Sequence, residues 1–215
     1  MYKLYNVKAW GSLCVHFLLE EMGVPYQNIW MTAEQVKAPD FRAISPLGQI
    51  PVFGLQDGRA LFESAAIVTF LLSAHPDKGL SPPPGSDDYG EFLSCLNFMS
   101  TNLYPAISAA FPGNEFALDK RHDEFIIQKA TEKCDALWTI LDRRLLDEGP
   151  WLMGESYSAL DTYAFMLCLW GRPSEAAVLE KFPRMAKLAA AVRARPKLKA
   201  ALEAHGVMQL GGYGS

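Results

Sequence analysis

Residues 45–71 read SPLGQIPVFGLQDGRALFESAAIVTFL, and this stretch decides the fold. Ile50-Pro51-Val52-Phe53 leads into a strand, and Ala60-Leu61-Phe62 forms a second short apolar run. Asp57-Gly58 between them is a hairpin signal. Ser64 to Ala74 then reads as a helix, ended by His75-Pro76, since a residue before proline is steered out of the helical region. Two places here carry chemistry. A proline opening a strand can take a cis bond at small cost. With Ile50-Pro51 cis, the Ile50 N–H and C=O face outward and can pair with an extended peptide as a short added strand. Ser64 is a natural N-cap, and its hydroxyl with the free first-turn N–H groups can bind a carboxylate. Glu63 beside it can accept bonds from an ammonium group, so the pair suits a zwitterionic amino-acid end. Taken singly, each also has a plain structural reading: a trans proline at a strand start, and an ordinary helix cap.

Outward toward the N-terminus, Tyr2 to Val7 is a strand and Ser12 to Met22 a helix. Ser12 suits the N-cap, Gly23 the left-handed C′ position, and Pro25 prevents continuation. Ser12, His16 and Glu20 form one polar stripe, while Leu13, Val15, Phe17, Leu18 and Leu19 cover the rest, so the helix is expected to be largely buried. Tyr26 to Met31 is a second strand, and residues 39–48 read as irregular. The order β-α-β, connection, β-β-α makes the first two strands parallel and the last two an antiparallel hairpin. The loop Trp10-Gly11-Ser12-Leu13 places the Ser12 hydroxyl in the positive field of a helix N-terminus, which favours an adjacent thiolate. The plain structural reading is that Ser12 is an N-cap alone.

Outward toward the C-terminus, residues 77–87 (DKGLSPPPGSD) are the strongest break in composition and read as a linker. No strand pattern follows. Helices are expected over Tyr89 to Ser108 with a kink at Pro105, and over Ala117 to Leu146. Four more follow: Ser158 to Trp170, Ser174 to Lys181, Pro183 to Ala194 and Pro196 to His205. In GESYSALDTYAF (154–165), Ser158 and Asp161 form a capping box that starts a buried helix. The expectation is an α+β chain: a mixed domain over 1–76, a linker over 77–87, an all-helical bundle over 88–205 and a Gly-rich tail over 206–215.

The chain has 215 residues, half of them hydrophobic, with 24 acidic against 20 basic side chains and a net charge of −4. That balance gives no electrostatic reason to expect nucleic acid. Cys14, Cys95, Cys134 and Cys168 are too far apart in sequence for a CxxC pair or a zinc knuckle. They read as reduced thiols, with no metal site expected, and Cys14 as buried rather than reactive. The start MYKLYNVKAW lacks the apolar core of a signal peptide. The longest clean apolar run, Ala164 to Trp170, is far shorter than the ~20 residues a spanning helix needs. A soluble, cytoplasmic chain with no membrane contact is expected.

Together and in this order, SPLGQIPVF, FESAAIVTFL and GESYSALDTYAF resemble the soluble glutathione S-transferase family over roughly residues 1–205. The resemblance implies a thioredoxin-like N-terminal domain (β-α-β-β-β-α type), an all-helical C-terminal domain, and glutathione as co-substrate. MYKLYNVKAWGSLCVHFLLEEMGVPY and CLNFMSTNLYPAI resemble the bacterial Beta class. By that likeness Glu63 and Ser64 hold the γ-glutamyl end, Ile50 ahead of Pro51 pairs with the cysteinyl unit, and Gln49 reaches the glutathione main chain. Asn97 falls on an asparagine that helps bind glutathione across a homodimer. Two departures stand out. The Beta class has a cysteine where this chain has Gly11, and a histidine followed by a basic residue where it has Tyr104-Pro105. Mixed-disulfide chemistry on a protein cysteine is therefore not expected, and thiolate activation is. A hydrogen bond from Ser12 at the helix N-terminus would lower a thiol pKa from its usual ~8.5, and Tyr5 is an alternative donor. The pocket for a small electrophile is placed between the domains, with Trp10, Tyr104 and Phe111 as lining and Phe116 and Trp170 as further candidates; for Trp170 packing is favoured. His122 and His205 receive no role. The implied function is transfer of glutathione to, or reduction with it of, a small hydrophobic electrophile. The other reading is a non-catalytic glutathione-binding or protein-interaction module on the same fold.

Overall fold

The computed structural model describes residues 1–113, 116, 119–145 and 149–211. Strand β1 (Tyr2–Asn6) lies parallel to β2 (Tyr26–Trp30), with Tyr2 opposite Tyr26 and Asn6 opposite Trp30. A parallel pair needs a crossover, and helix α1 (Leu13–Met22) supplies it. Strands β3 (Val52–Gly54) and β4 (Ala60–Leu61) complete a four-stranded sheet of order β2-β1-β3-β4, both added antiparallel. At the hairpin, Leu55 N–H donates to the Arg59 carbonyl at 2.7 Å and Gly58 takes φ 90°.

Helix α1 is more completely buried than its polar stripe implies, because it is covered by the sheet and by the second half of the chain. Ser12 and His16 are buried with its apolar residues. Gly23 ends it in the left-handed conformation at φ 63°, its N–H reaching the Leu19 carbonyl. Ser12 does not cap it: its backbone is already helical and its side chain makes no cap bond. Between β2 and β3 two short helices occur, α2 (Ala33–Lys37) and, inside the stretch 39–48 that reads as irregular, α3 (Pro39–Arg42). Thr32 caps α2, accepting from Gln35 N–H while the Gln35 side chain accepts from Thr32 N–H. That Thr-x-x-Gln spacing was the sequence signal for it.

Helix α4 (Ser64–Ala74) closes the first half. Pro76–Lys78 makes a 3-10 turn, and the buried Leu80 accepts at its carbonyl from Ala159 N–H at 2.9 Å. Ser86 then caps helix α5 (Asp87–Phe98), accepting from Tyr89 N–H. A π-helical turn over Met99–Leu103 joins it to α6 (Tyr104–Ala109). The irregularity expected at Pro105 thus falls in the turn before it. A proline cannot donate to the carbonyl four residues back and its ring crowds that carbonyl, so the preceding turn widens. Helix α7 spans Asp123–Arg144; of the longer helix expected from the sequence, positions 117, 118 and 146 lie outside the described residues. Helix α8 (Ala159–Leu169) is buried along its whole length. Its capping box is present, with Asp161 accepting from Ser158 N–H and, through its other oxygen, from Leu152 N–H, both at 2.8 Å. Helices α9 (Glu175–Lys181), α10 (Pro183–Arg193) and α11 (Lys199–His205) follow. Of the expected tail, residues 212–215 lie outside the described ones.

One apolar core runs through both halves. Leu4, Phe17, Phe53 and Ile67 from the sheet side join Phe92, Leu96, Tyr163 and Phe165 from the helical side. Each such side chain contributes on the order of 1.5–3 kcal/mol. Phe17 on α1 meets Phe165 on α8 with ring centroids 5.9 Å apart. A polar tie reinforces that seam. The Glu21 carboxylate grips the Arg195 guanidinium with two bonds, Tyr157 donates to it at 3.2 Å, and Arg195 stacks 3.5 Å over the Tyr157 ring. Among the described residues no helix is long and apolar enough to cross a membrane.

Candidate functional site

A cavity of about 640 Å³ opens where four segments meet: the β1–α1 loop, residues 45–51, the start of α4, and one face of the α5–α6 helix. Its size falls in the range typical of small-molecule sites.

The first wall is the approach to β3. The Ser45 hydroxyl accepts from Gln49 N–H at 3.1 Å and donates to the Gln49 carbonyl at 2.7 Å, closing the turn. Gly48 takes φ 61° inside that turn, where a side chain would be strained. The Ile50-Pro51 peptide is cis, and Gln49, Ile50 and Pro51 all line the cavity. The second wall is the start of α4. Glu63, not Ser64, is the cap residue, held at φ 69° and ψ 111° with an exposed side chain. A non-glycine residue in that region costs of order 1–3 kcal/mol and persists where surrounding structure imposes it. Ser64 is buried, its hydroxyl 2.7 Å from the Tyr163 hydroxyl on α8. The free N–H groups of the first turn of α4 therefore open onto a cavity with one carboxylate beside them.

The third wall is helical. The π-helical turn and α6 present Ser100, Thr101, Tyr104, Pro105 and Ser108 along one face, with Phe111 and Phe116 beyond. Ser100 and Thr101 both donate to the Asn97 carbonyl. The floor is Ala9-Trp10-Gly11. Ala9 sits at φ 57°, clamped from the helical half: its N–H donates to His205 Nδ1 at 2.9 Å and its carbonyl accepts from Trp170 Nε1 at 2.8 Å. Gly11 has no room for a side chain. A Cβ there would lie 2.4 Å from the Tyr104 hydroxyl and 3.3 Å from the Ile50 carbonyl oxygen. Among the described lining residues, Glu63 and Tyr104 are the titratable ones.

The cavity thus brings together Trp10, Gln49, Ile50, Pro51, Glu63, Ser64, Tyr104 and Phe111. It does not include Ser12. That residue is fully buried, and its hydroxyl donates to Asn6 Oδ1 at 2.5 Å and accepts from Val7 N–H at 3.3 Å. The expectation that Ser12 donates to a thiol is corrected by this geometry. Asn97 is also outside the lining; it is exposed on α5, with its amide on the Leu93 carbonyl. Tyr5 packs against Phe41 at 5.7 Å between ring centroids and does not line the cavity. Cys14 is buried, its sulfur 3.4 Å from the Gly11 carbonyl, and burial pushes its thiol up to about 12. It holds too little thiolate to act as a nucleophile.

Behind the floor lies a polar cluster that sequence reasoning missed. His205 Nδ1 accepts from Ala9 N–H, so a neutral His205 carries its proton on Nε2 and gives it to His16 Nδ1, 2.8 Å away. Asn6 also donates toward His16 Nδ1 at 3.2 Å and to Asn28 at 3.1 Å. Burial lowers His16 to about 4 and His205 to about 3, in the latter case with His16 and Lys8 adding to the effect. Both imidazoles are neutral at physiological pH. His205 lies 196 residues from Ala9, so no local pattern signalled the contact.

The N-terminal domain model of the glutathione S-transferase family matches residues 12–74, and its C-terminal domain model matches residues 103–205. An uncharacterized GST-like protein of Escherichia coli K12, YncG, is 28% identical over 206 residues, covering 94% of this chain and 98% of that protein. Two solved structures are similar. A bacterial Beta-class glutathione S-transferase of Sphingomonas chungbukensis has 25% identity and a TM-score of 0.80, over 95% of this chain and 99% of that one. A sphingomonad glutathione S-transferase complexed with glutathione has 26% identity and a TM-score of 0.80, over the same shares.

Proposed function

The chain belongs to the glutathione S-transferase family, and from that premise we propose that it binds glutathione in this cavity and adds its thiolate to, or reduces with it, a small hydrophobic electrophile. The observation that carries this reading is a convergence. Glu63, Ser64 and the Ile50-Pro51 segment, from two separate walls, face one cavity whose third wall carries Phe111 and Tyr104. Glu63 takes the γ-glutamyl ammonium, and Ser64 with the first-turn N–H groups of α4 takes its carboxylate. The Ile50 backbone pairs with the cysteinyl unit and Gln49 with the main chain beyond it. The electrophile enters over Trp10 and Phe111, and no metal takes part in the scheme.

The reading includes a homodimer in which Asn97, exposed on α5, reaches the partner's glutathione. Light scattering at micromolar concentration is expected to give twice the chain mass; a monomer removes Asn97 from the site. A cytoplasmic role in detoxification fits four buried, free thiols. Isothermal calorimetry with glutathione, followed by conjugation assays on aryl halides, tests the function. Binding with turnover is expected. Binding without turnover on any electrophile favours the non-catalytic module, and no binding removes the proposal.

A further inference from the structure

We propose that the electrophile end of the cavity is built for an anion: Arg172, in the connection between α8 and α9, takes the carboxylate of an aryl electrophile whose ring lies against Phe111. This names a substrate class for the glutathione-binding reading above and rests on it. The observation that carries it is a cation without a protein counter-ion. Among the described residues the Arg172 side chain makes no hydrogen bond and no ion pair, and its Nε is buried without a partner. The guanidinium carbon lies 4.9 Å from the centroid of the Phe111 ring. Phe111 lines the cavity, and so does Trp170, two residues before Arg172. The positive charge therefore sits against the ring that forms this end of the third wall.

The nearest acid in the chain is already engaged. Glu175, three residues on, is held by the Arg193 guanidinium and by the Gly211 N–H. Among the described lining residues Glu63 is the carboxylate, and it stands on another wall at the start of α4. A buried charged donor left unpaired is costly, so the position favours a ligand that pairs with it. Stacking on a ring uses the flat face of a guanidinium. It leaves the N–H donors in the plane of the fork, where they can grip a carboxylate with two parallel bonds. The segment that carries Arg172 is also fixed. Trp170 Nε1 donates to the Ala9 carbonyl at 2.8 Å, and a Cβ on Gly171 would stand 2.7 Å from the Val178 side chain. The cavity is thus divided by charge: Glu63 suits the ammonium of the tripeptide, and Arg172 suits the anion of the second substrate. With an aryl chloride the step is a substitution. The glutathione sulfur, its proton given to solvent, forms a bond to the ring carbon, and chloride leaves with the electron pair of the bond that breaks. The carboxylate keeps its bonds throughout, so Arg172 selects and orients the substrate and does not react.

The test compares 4-chloro-3-nitrobenzoate with its methyl ester as substrates, and the two corresponding S-aryl glutathione conjugates as ligands in calorimetry. Binding of the conjugates reads the preference whatever the turnover. A charge-assisted hydrogen-bonded pair predicts that the wild type binds the acid conjugate ~10–100-fold more tightly than the ester conjugate, and that kcat/KM for the two chlorides follows the same order. Arg172→Gln should bring that ratio to within ~2–3-fold of one, and Arg172→Lys should keep part of it, since the charge stays but the fork is lost. Equal binding of the two conjugates by the wild type, or a ratio unmoved in Arg172→Gln, overturns this assignment and leaves glutathione binding intact. Loss of affinity for glutathione itself in Arg172→Gln also overturns it, because the guanidinium then serves a carboxylate of the tripeptide. A wild type that does not bind glutathione overturns both readings.

Discussion

Gly11 and Ser12 are neighbours in sequence, yet they border two regions of opposite character. On the Ser12 side lies a closed polar cluster, the buried Asn6, Ser12, His16 and His205 with the half-buried Asn28 at its edge, in which donors and acceptors satisfy one another. On the Gly11 side lies an open cavity, lined by Tyr104, Glu63 and Ile50 among others, with room for a ligand. A hydroxyl near a helix N-terminus is thus a poor guide to chemistry by itself. What separates the two is access: a group enclosed by protein holds structure, and a group lining a cavity can meet a ligand.

This division can be broken deliberately on the closed side. The largest effect is expected from Arg195→Ala, which strands the buried Glu21 carboxylate. Removing one partner of such a pair costs about 3–5 kcal/mol, to be read as a lower denaturation midpoint in urea. Acid should come next. His16 and His205 are lowered in the folded state, to about 4 and 3, so between those values and ~6.5 the unfolded chain binds more protons. Stability is therefore full above that window and falls by a few kcal/mol as pH drops through it. Asp161, pushed up to about 7 by burial against the pull of its backbone donors, works in the opposite sense and softens the slope. Thermal midpoints across pH check this, and His205→Gln should flatten the curve. Ser12→Ala should cost about 1–3 kcal/mol, since Asn6 loses its donor, with turnover and the bound thiol's ionisation unchanged. A drop in turnover without loss of stability would erase the distinction drawn here. The smallest effect lies on the open side. Glu63→Gln should weaken glutathione binding about tenfold, or about 1.4 kcal/mol, and leave the melting temperature where it was, because that side chain is exposed.

Much of the fold was legible because local rules and tertiary structure agree. Asp57-Gly58 is a turn, Gly23 is a left-handed cap, and Ser158 with Asp161 is a capping box, each set by two to four adjacent residues. Ile50-Pro51 and Glu63-Ser64 were legible as site candidates for the same reason. The direction of the Ser12 side chain was not, because it depends on Asn6 being offered by the neighbouring strand. Ala9, an alanine at positive φ, carries no mark in sequence; only Trp170 and His205 explain its conformation. The significance of Gly11 likewise becomes visible once Tyr104, remote in sequence, stands over it.

The double clamp on Ala9 also sets a schedule. A ribosome delivers Ala9 early, but the imidazole that receives its N–H comes 196 residues later. At ordinary elongation rates of ~5–20 residues per second, that interval is roughly 10–40 s. Throughout it the β1–α1 loop can exist only without its final restraint. The cavity is thus completed by the last helix to emerge, and a nascent chain has no finished floor on which to seat a ligand before then.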